Sequence, residues 1–366
     1  MTTASRSRGA RSVAVPWPAP ASGPAIVPVF LPHFGCPRRC LFCGQEAQTG
    51  VAANAALRDL LAAARAGLEA RIARGLGPTE LAFYGGTFTA LPEGALGACL
   101  DFSESARRDG LISAFRCSTR PDAVDGPVLE RLAAAGCATV ELGVQSFVDA
   151  ALRLTARGYT GAQAGAACAR VAASGMGLCV QLLPGMPGVT PTVFLDDVRE
   201  ALALGARALR FYPCLVLEGT GLAALWRAGA YAPWDMETTL ETLAQGWLLA
   251  HQAGAAVLRM GVAPGEDLAR ALLAGPWHPA LGSRVLGRAL LRAVQELARG
   301  LGFPQPGTRV VLEAPAFTQG HFWGHAGELR EHWAALGLGS GNVRFRPEPM
   351  MRLRFEGEVG APSQAC

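Results

Sequence analysis

The sequence has no run of 18 apolar residues free of proline or clustered glycine, which removes a helix able to cross a membrane. It shows no secretory signal. The opening stretch MTTASRSRGARSVAVPWPAPASGPA is rich in Arg, Ser and Pro and holds no unbroken apolar core ahead of a cleavage site. Residues 1–24 read as a flexible extension, and the expected location is the cytoplasm. Charge of one sign is also scarce. Lys and Arg number 33 against 29 Asp and Glu, and a net +4 permits contact with nucleic acid without arguing for it. Disorder over the whole length is excluded by a hydrophobic fraction of 50% and a mean hydropathy of +0.24. What remains is a chain of 366 residues that can bury a large core, a length that one (β/α) barrel can use. Its ten cysteines, in a reducing compartment, point to metal or catalytic roles before disulfides.

From about residue 26, short apolar runs alternate with longer segments of 3.6-residue apolar spacing. The predicted strands are IVPVFLP (26–32), ELAFYGG (80–86), FRCST (115–119), TVELGV (139–144), LCVQLL (178–183) and ALRFYP (208–213). The clearest intervening helices cover 54–74, 127–136 and 194–206. Strand-then-helix units in succession predict a parallel sheet with helices outside it. Six are too few for a closed eight-fold barrel and suit a partial (β/α)6 TIM-type barrel of class α/β, assigned to residues 25–220. Residues 221–366 read as a C-terminal α+β appendage covering the barrel. Within it, TRVVLEA (308–314) is a strand, and NVRFRPEPMMRLRFEG (342–357) is a half-buried strand or hairpin broken by PEP.

In such folds the chemistry sits at the C-terminal ends of the strands. Each predicted strand ends in Gly, Pro, hydroxyl or amide residues, which suit loops where backbone approaches a ligand closely. The first ends in PHFGCPRRCLFCGQ, where Cys36, Cys40 and Cys43 have the spacing C-x3-C-x2-C. A structural zinc would need a fourth ligand, and there is no second CxxC pair; His33 is near but precedes the loop. A redox dithiol would use only Cys40 and Cys43. Three thiolates on a [4Fe–4S] cluster would leave one iron open to bind a substrate or cofactor.

At this spacing, with the aromatic Phe42 before the last cysteine, the sequence resembles the radical S-adenosylmethionine (SAM) superfamily, whose fold is a partial (β/α)6 barrel. The resemblance implies a [4Fe–4S] cluster on Cys36, Cys40 and Cys43. It also implies SAM chelated to the open iron and cleaved reductively to methionine and a 5′-deoxyadenosyl radical, with the electron supplied by a donor such as flavodoxin or ferredoxin. FYGGTFT is similar to the family motif whose backbone binds the SAM amino group, here Gly85, Gly86 and Thr87. The branch that includes oxygen-independent coproporphyrinogen oxidase and the elongator catalytic subunit implies further SAM contacts. Ser118 in RCSTRPD stands where that oxidase has an acidic residue. Gln145 in LGVQSF matches a SAM-contacting glutamine, and Arg157 in TARGYT an arginine near the SAM carboxylate. Gln181 in QLLPGMPG matches a ribose-contacting Asp position, where an amide can still bond a hydroxyl. Turn chemistry for Ser118 and a satisfied polar core group for Gln181 are the plainer alternatives.

The narrower resemblance, over about residues 26–265, is to the elongator-subunit-like branch in a stand-alone bacterial form. The larger members append an acetyltransferase that modifies wobble uridine in tRNA. The residues after 265 are few for that domain, and AALGLGSGN has Ala334 where its phosphate loop expects Arg or Gln, so that domain is expected to be absent. The implied function is a radical SAM enzyme acting on tRNA or another RNA. The alternatives are a non-catalytic RNA-binding or scaffold iron–sulfur protein, and a tetrapyrrole-modifying radical SAM oxidase. Trp277, His278, His321, Trp323 and His325 are expected either to line the substrate end of the barrel or to be structural. Arg344, Arg346, Arg352 and Arg354 suit either phosphate contact or a solvated strand face. Tyr212 and Cys214, after the sixth strand, point toward the site by topology.

Overall fold

The computed structural model describes residues 3–7, 10–19, 24–302 and 309–356. The chain divides into two compact units, one of Ser22–Pro279 and one of Met1–Ala21 with Ala280–Cys366. The first contains an open sheet of seven parallel strands whose spatial order follows the chain: Ile26–Phe30, Thr79–Tyr84, Ile112–Thr119, Cys137–Gln145, Gly177–Leu182, Ala208–Phe211 and Ala256–Met260. This is a half-barrel of class α/β, with crossover helices such as Leu57–Ala73, Glu93–Arg108 and Pro191–Ala203. All six predicted strands are present. The seventh, AVLRM, lies beyond residue 220, so the barrel unit runs on to Pro279 where the sequence reading ended the core earlier.

Helix starts follow local chemistry. Thr160 caps Gly161–Ala173 in a reciprocal box with Gln163. Thr190 caps Pro191–Ala203, with the proline at a position where its missing N–H costs nothing. The side chains alternate across the sheet. Leu81, Phe83, Phe115, Cys117, Val140, Leu142, Leu178, Val180, Leu182, Leu209 and Phe211 are all at most 2% exposed and form the outer core. Burying each large one contributes roughly 1.5–3 kcal/mol. Phe83 stacks on Phe88 at 4.7 Å between ring centroids and meets Phe115 edge-on at 6.0 Å.

The opposite face is polar. Register places Phe30 beside Tyr84, Ser118 beside Glu141, and Gln181 beside Arg210 beside Arg259. Adjacent parallel strands put registered side chains on one face, so these residues share the inner surface of the half-barrel.

The second unit pairs the helix Leu281–Gly300 with a five-stranded sheet in the order Thr3–Ser7, Ala10–Pro16, Met350–Glu356, Arg309–Pro315, Val343–Arg346. Two expectations are corrected here. Residues 10–16 are not an extension: they run antiparallel to Met350–Glu356, with Val13 opposite Leu353, and both side chains are buried. The two pieces of NVRFRPEPMMRLRFEG do not form a hairpin. They flank Arg309–Pro315 on either side, one parallel and one antiparallel, because PEP prevents a tight return. No helix among the described residues is long and apolar enough to cross a membrane.

Candidate active site

The loop after the first strand is held by backbone that only particular residues tolerate. His33 and Gly35 have φ of +58° and +73°. A Cβ on Gly35 would lie 2.4 Å from the Thr87 carbonyl oxygen, and one on Gly86 (φ +62°) would lie 2.1 Å from that of Phe34. The glycines are therefore required by close approach of the cysteine loop to the turn after the second strand. Thr87 N–H donates to Phe34 O at 2.8 Å across this contact. Gln45 Oε1 accepts from both His33 N (2.5 Å) and Gly86 N (3.0 Å), pinning the two loops together.

Each thiol has its own polar neighbour. Cys36 Sγ lies 3.3 Å from Thr87 Oγ1, and Cys43 Sγ lies 3.9 Å from His33 Nδ1. Cys40 Sγ accepts from Arg157 Nη1 at 3.1 Å and from Arg120 Nη1 at 3.7 Å. Both arginines are buried. Arg120 is held bidentately by Asp122 at 2.7 and 2.8 Å. Arg157 donates from Nε and Nη2 to Tyr159 Oη and also to Gly143 O. Burial pushes the Cys36 thiol up and that of Cys43 up to about 12. Burial thus favours the protonated form of both thiols.

The donor set discriminates among metals. Among the described residues no three His, Cys, Asp or Glu side chains gather closely enough to share one ion. A cluster whose thiolates each take a different iron needs no such convergence, and three soft sulfurs beside two guanidiniums fit it. Cys36, Cys40 and Cys43 are the residues that would hold it.

The cavity above the inner face has a volume of about 440 Å³. Cys36, Cys40, Phe42, Cys43, Gly85, Gly86, Ser118, Gln145, Arg157 and Gln181 all line it, while Thr87 is fully buried behind the loop. Gln145 has φ of +68°, and Ala156, next to Arg157, has +56°. Among the described residues, three of the four non-glycine residues with positive φ therefore belong to this site, where strain of about 1–3 kcal/mol each is held by the surroundings. The turn after Gln145 is tied by Asp197, whose Oδ1 accepts from Phe147 N at 2.8 Å. Burial raises this carboxyl to about 6 against the opposing effect of the Phe147 and Ser146 donors.

Ser118 and Gln181 meet each other: Gln181 Nε2 donates to Ser118 Oγ at 3.3 Å and to Glu141 Oε2 at 2.9 Å. Glu141 is the acidic residue in register with Ser118, and its side chain is fully buried. Arg116 reaches it at 3.2 Å, Arg210 Nε lies 2.7 Å from it without aiming its hydrogen at it, and Tyr84 Oη donates at 3.0 Å. Arg116 also pairs with Glu80 at 2.5 Å. This network floors the cavity, and sequence reading missed it, together with Gln45, Arg120 and Tyr159. The signal for it was polar side chains recurring in phase with the period of two within the strands, Glu80 with Tyr84 and Arg116 with Ser118.

The aromatic and histidine group is not part of this wall. Trp277 packs against Leu215, Leu217 and Leu268 and donates to Val262 O. His321, Trp323 and His325 lie in the other unit, where Arg330 sits over the Trp323 ring. Arg346, Arg352 and Arg354 pair with Glu313. Tyr212 and Cys214 do line the cavity.

A half-barrel with a three-cysteine loop on its first strand and a Gly-Gly turn on its second defines a class of metal-dependent α/β enzyme. A model of the radical SAM superfamily matches residues 30–201, and one of the radical SAM C-terminal domain matches residues 206–289. The two matches together span more than half of the sequence, and the chain belongs to the radical SAM superfamily, whose members are enzymes and whose membership implies an iron–sulfur cluster and SAM. The tRNA uridine(34) acetyltransferase of Methanocaldococcus infernus is 28% identical over 260 residues, covering 61% of this chain and 49% of that protein. Elongator complex protein 3 of Schizosaccharomyces pombe is 29% identical over 196 residues, covering 47% and 36%. The chain thus spans about half the length of the curated relatives it matches, or less. The solved structure of the Methanocaldococcus infernus Elp3 with an N-terminal deletion superposes with a TM-score of 0.57 at 21% identity, covering 80% of this chain and 71% of that one. That likeness supports the fold.

Proposed function

We propose that this chain is a radical SAM enzyme that modifies RNA, with tRNA the leading substrate. The observation that carries the reading is the convergence of three thiols, the Gly-Gly turn, Gln145 and Arg157 on one cavity. The cluster, when bound, would supply the electron that cleaves the SAM sulfonium to methionine and a 5′-deoxyadenosyl radical. Cys36, Cys40 and Cys43 would ligate it. Arg120 and Arg157 donate to Cys40 Sγ and set positive charge beside the sulfur. Gly85, Gly86, Gln145 and Arg157 would hold the amino acid end of SAM, and Gln181 with Ser118 would meet its ribose. Phe42, Leu183 and Leu215 add apolar wall that limits water around a reactive intermediate. The tRNA assignment is supported by the names of the curated relatives.

Anaerobic reconstitution tests this. We expect about four iron per chain and 5′-deoxyadenosine from SAM under reductant, with turnover raised by cellular tRNA. Cys40→Ala should abolish both signals. Failure of the unaltered chain to bind iron or cleave SAM would sink the proposal. Cleavage that tRNA leaves unchanged would remove the substrate assignment alone.

A further inference from the structure

The cavity wall contains five arginines, Arg38, Arg120, Arg157, Arg210 and Arg259, and no Asp or Glu among the described residues that line it. Three of these charges are engaged. Arg120 pairs with Asp122, Arg157 faces Cys40, and Arg210 is balanced by Glu141. Arg38 lies in the cysteine loop, packed over Gly158. Arg259 is different. It stands on the seventh strand, at the edge of the sheet opposite the first strand that leads into the cysteine loop, and it is exposed.

Register places Arg259 beside Arg210, so both guanidiniums project from the inner face. The Arg259 Nε donates to Gly261 O at 3.1 Å, which fixes the plane of the group. No carboxylate among the described residues pairs with it. Its two terminal nitrogens keep the parallel donors that match a carboxylate or phosphate edge. Tyr212 follows the neighbouring strand into the same cavity, with its hydroxyl 3.5 Å from Arg210 Nη1. Two like charges side by side at a cavity mouth repel each other unless an anion lies between them. Glu141 offsets the charge of Arg210, but no Asp or Glu among the described residues lines the cavity beside Arg259.

We infer that Arg259, with Tyr212 and Arg210, binds an oxyanion carried by the substrate, a phosphate or a carboxylate. This rests on the proposed reaction, since it places the substrate's anionic group across the cavity from the cysteine loop. An oxyanion held there fixes which part of the substrate faces the cysteine side, and so confers regioselectivity.

The test is calorimetric titration of the full chain, reconstituted and saturated with S-adenosylhomocysteine so that the SAM site is filled. The probes are inorganic phosphate, 5′-AMP and succinate. We expect at least one of them to bind and Arg259→Gln to weaken that binding tenfold or more. Arg259→Lys should retain part of it, and Tyr212→Phe should cost a few-fold. Arg354→Gln, which removes the same charge from the other unit, should change nothing. Preference for phosphate and 5′-AMP over succinate assigns a phosphate group; the reverse assigns a carboxylate. The inference is overturned if Arg259→Gln binds all probes as the unaltered chain does, if Arg354→Gln weakens binding equally, or if no probe binds. Repeating the titration without the cluster separates the two proposals. Arg259-dependent binding in a chain that never cleaves SAM removes the reaction and leaves the site, whereas cleavage without such binding does the opposite.

Discussion

Inside the half-barrel, Arg116 and Arg210 close on a Glu141 side chain with no exposure, and are themselves 12% and 8% exposed. On the sheet of the other unit, Arg346, Arg352 and Arg354 converge on Glu313 but remain 45%, 42% and 52% exposed. The residue types are alike, with two arginines on Glu141 and three on Glu313, yet the energetics differ. The Glu141 side chain is shielded from solvent by its partners. Burial alone would raise its carboxyl, but Arg210, then Gln181 and Arg116, outweigh that and hold it below the ordinary carboxylate range. Around Glu313 the guanidiniums are hydrated, so the ion pairs gain little over their solvated state. The difference teaches that the inner network is a committed polar floor, whereas the outer group sets solvent-facing guanidiniums over a buried carboxylate. An inner face left unfilled by apolar side chains is what a half-barrel needs if its open side is to receive a polar ligand.

The comparison can be broken or sharpened by removing carboxylates. The largest effect is expected from Glu141→Ala. It strands the buried guanidinium of Arg210 and leaves Arg116 with Glu80 alone, and unfolding by denaturant followed by circular dichroism should show a loss of about 3–5 kcal/mol. A loss below about 1 kcal/mol would mean that water already reaches the network.

Asp197 gives an intermediate case, a buried carboxylate held by N–H and hydroxyl donors and by no cation among the described residues. Its carboxyl is raised to about 6 in the folded chain, above the ~3.9 of an unfolded one. The folded state then binds more protons between these values, so stability falls as pH rises from about 4 to 6, by about 2–3 kcal/mol. Asp197→Asn keeps an oxygen for Phe147 N–H and removes the titration. The slope over that window should flatten, and the variant should be at least as stable as the original at pH 8. An unchanged slope would show that the carboxyl is ionised throughout.

The smallest effect is expected for Glu313→Gln, within about 1 kcal/mol by the same unfolding measurement. A loss above 2 kcal/mol would erase the distinction between the two arginine groups.

Much of the site was readable before folding was considered. Cys36, Cys40 and Cys43 sit within a few residues of each other, and Gly85 with Gly86 marks a turn by composition alone. Their ligand-binding reading depended on motif spacing, which is local. The partners of Glu141 were not readable. Arg116, Tyr84 and Arg210 lie 25, 57 and 69 residues from it, and they meet only through ladder register. Gln45 looked like the end of the cysteine loop, and its role as a clamp on Gly86 required the second strand to be in place. The strand Ala10–Pro16 was missed for the same reason. Its buried Val13 finds its partner Leu353 near the other end of the described chain.

By itself, the sequence determined the succession of strands and helices, the cysteine loop and the glycine turn. Apolar periodicity, caps and turn residues act over a few residues and need no partner from elsewhere. Only the tertiary structure decided which charges share the inner face, which arginines address Cys40 and that no carboxylate among the described residues pairs with Arg259. The inner-face outcomes depend on strand register and bulges, and a slip of one residue would send the side chains borne on the strands to the opposite face.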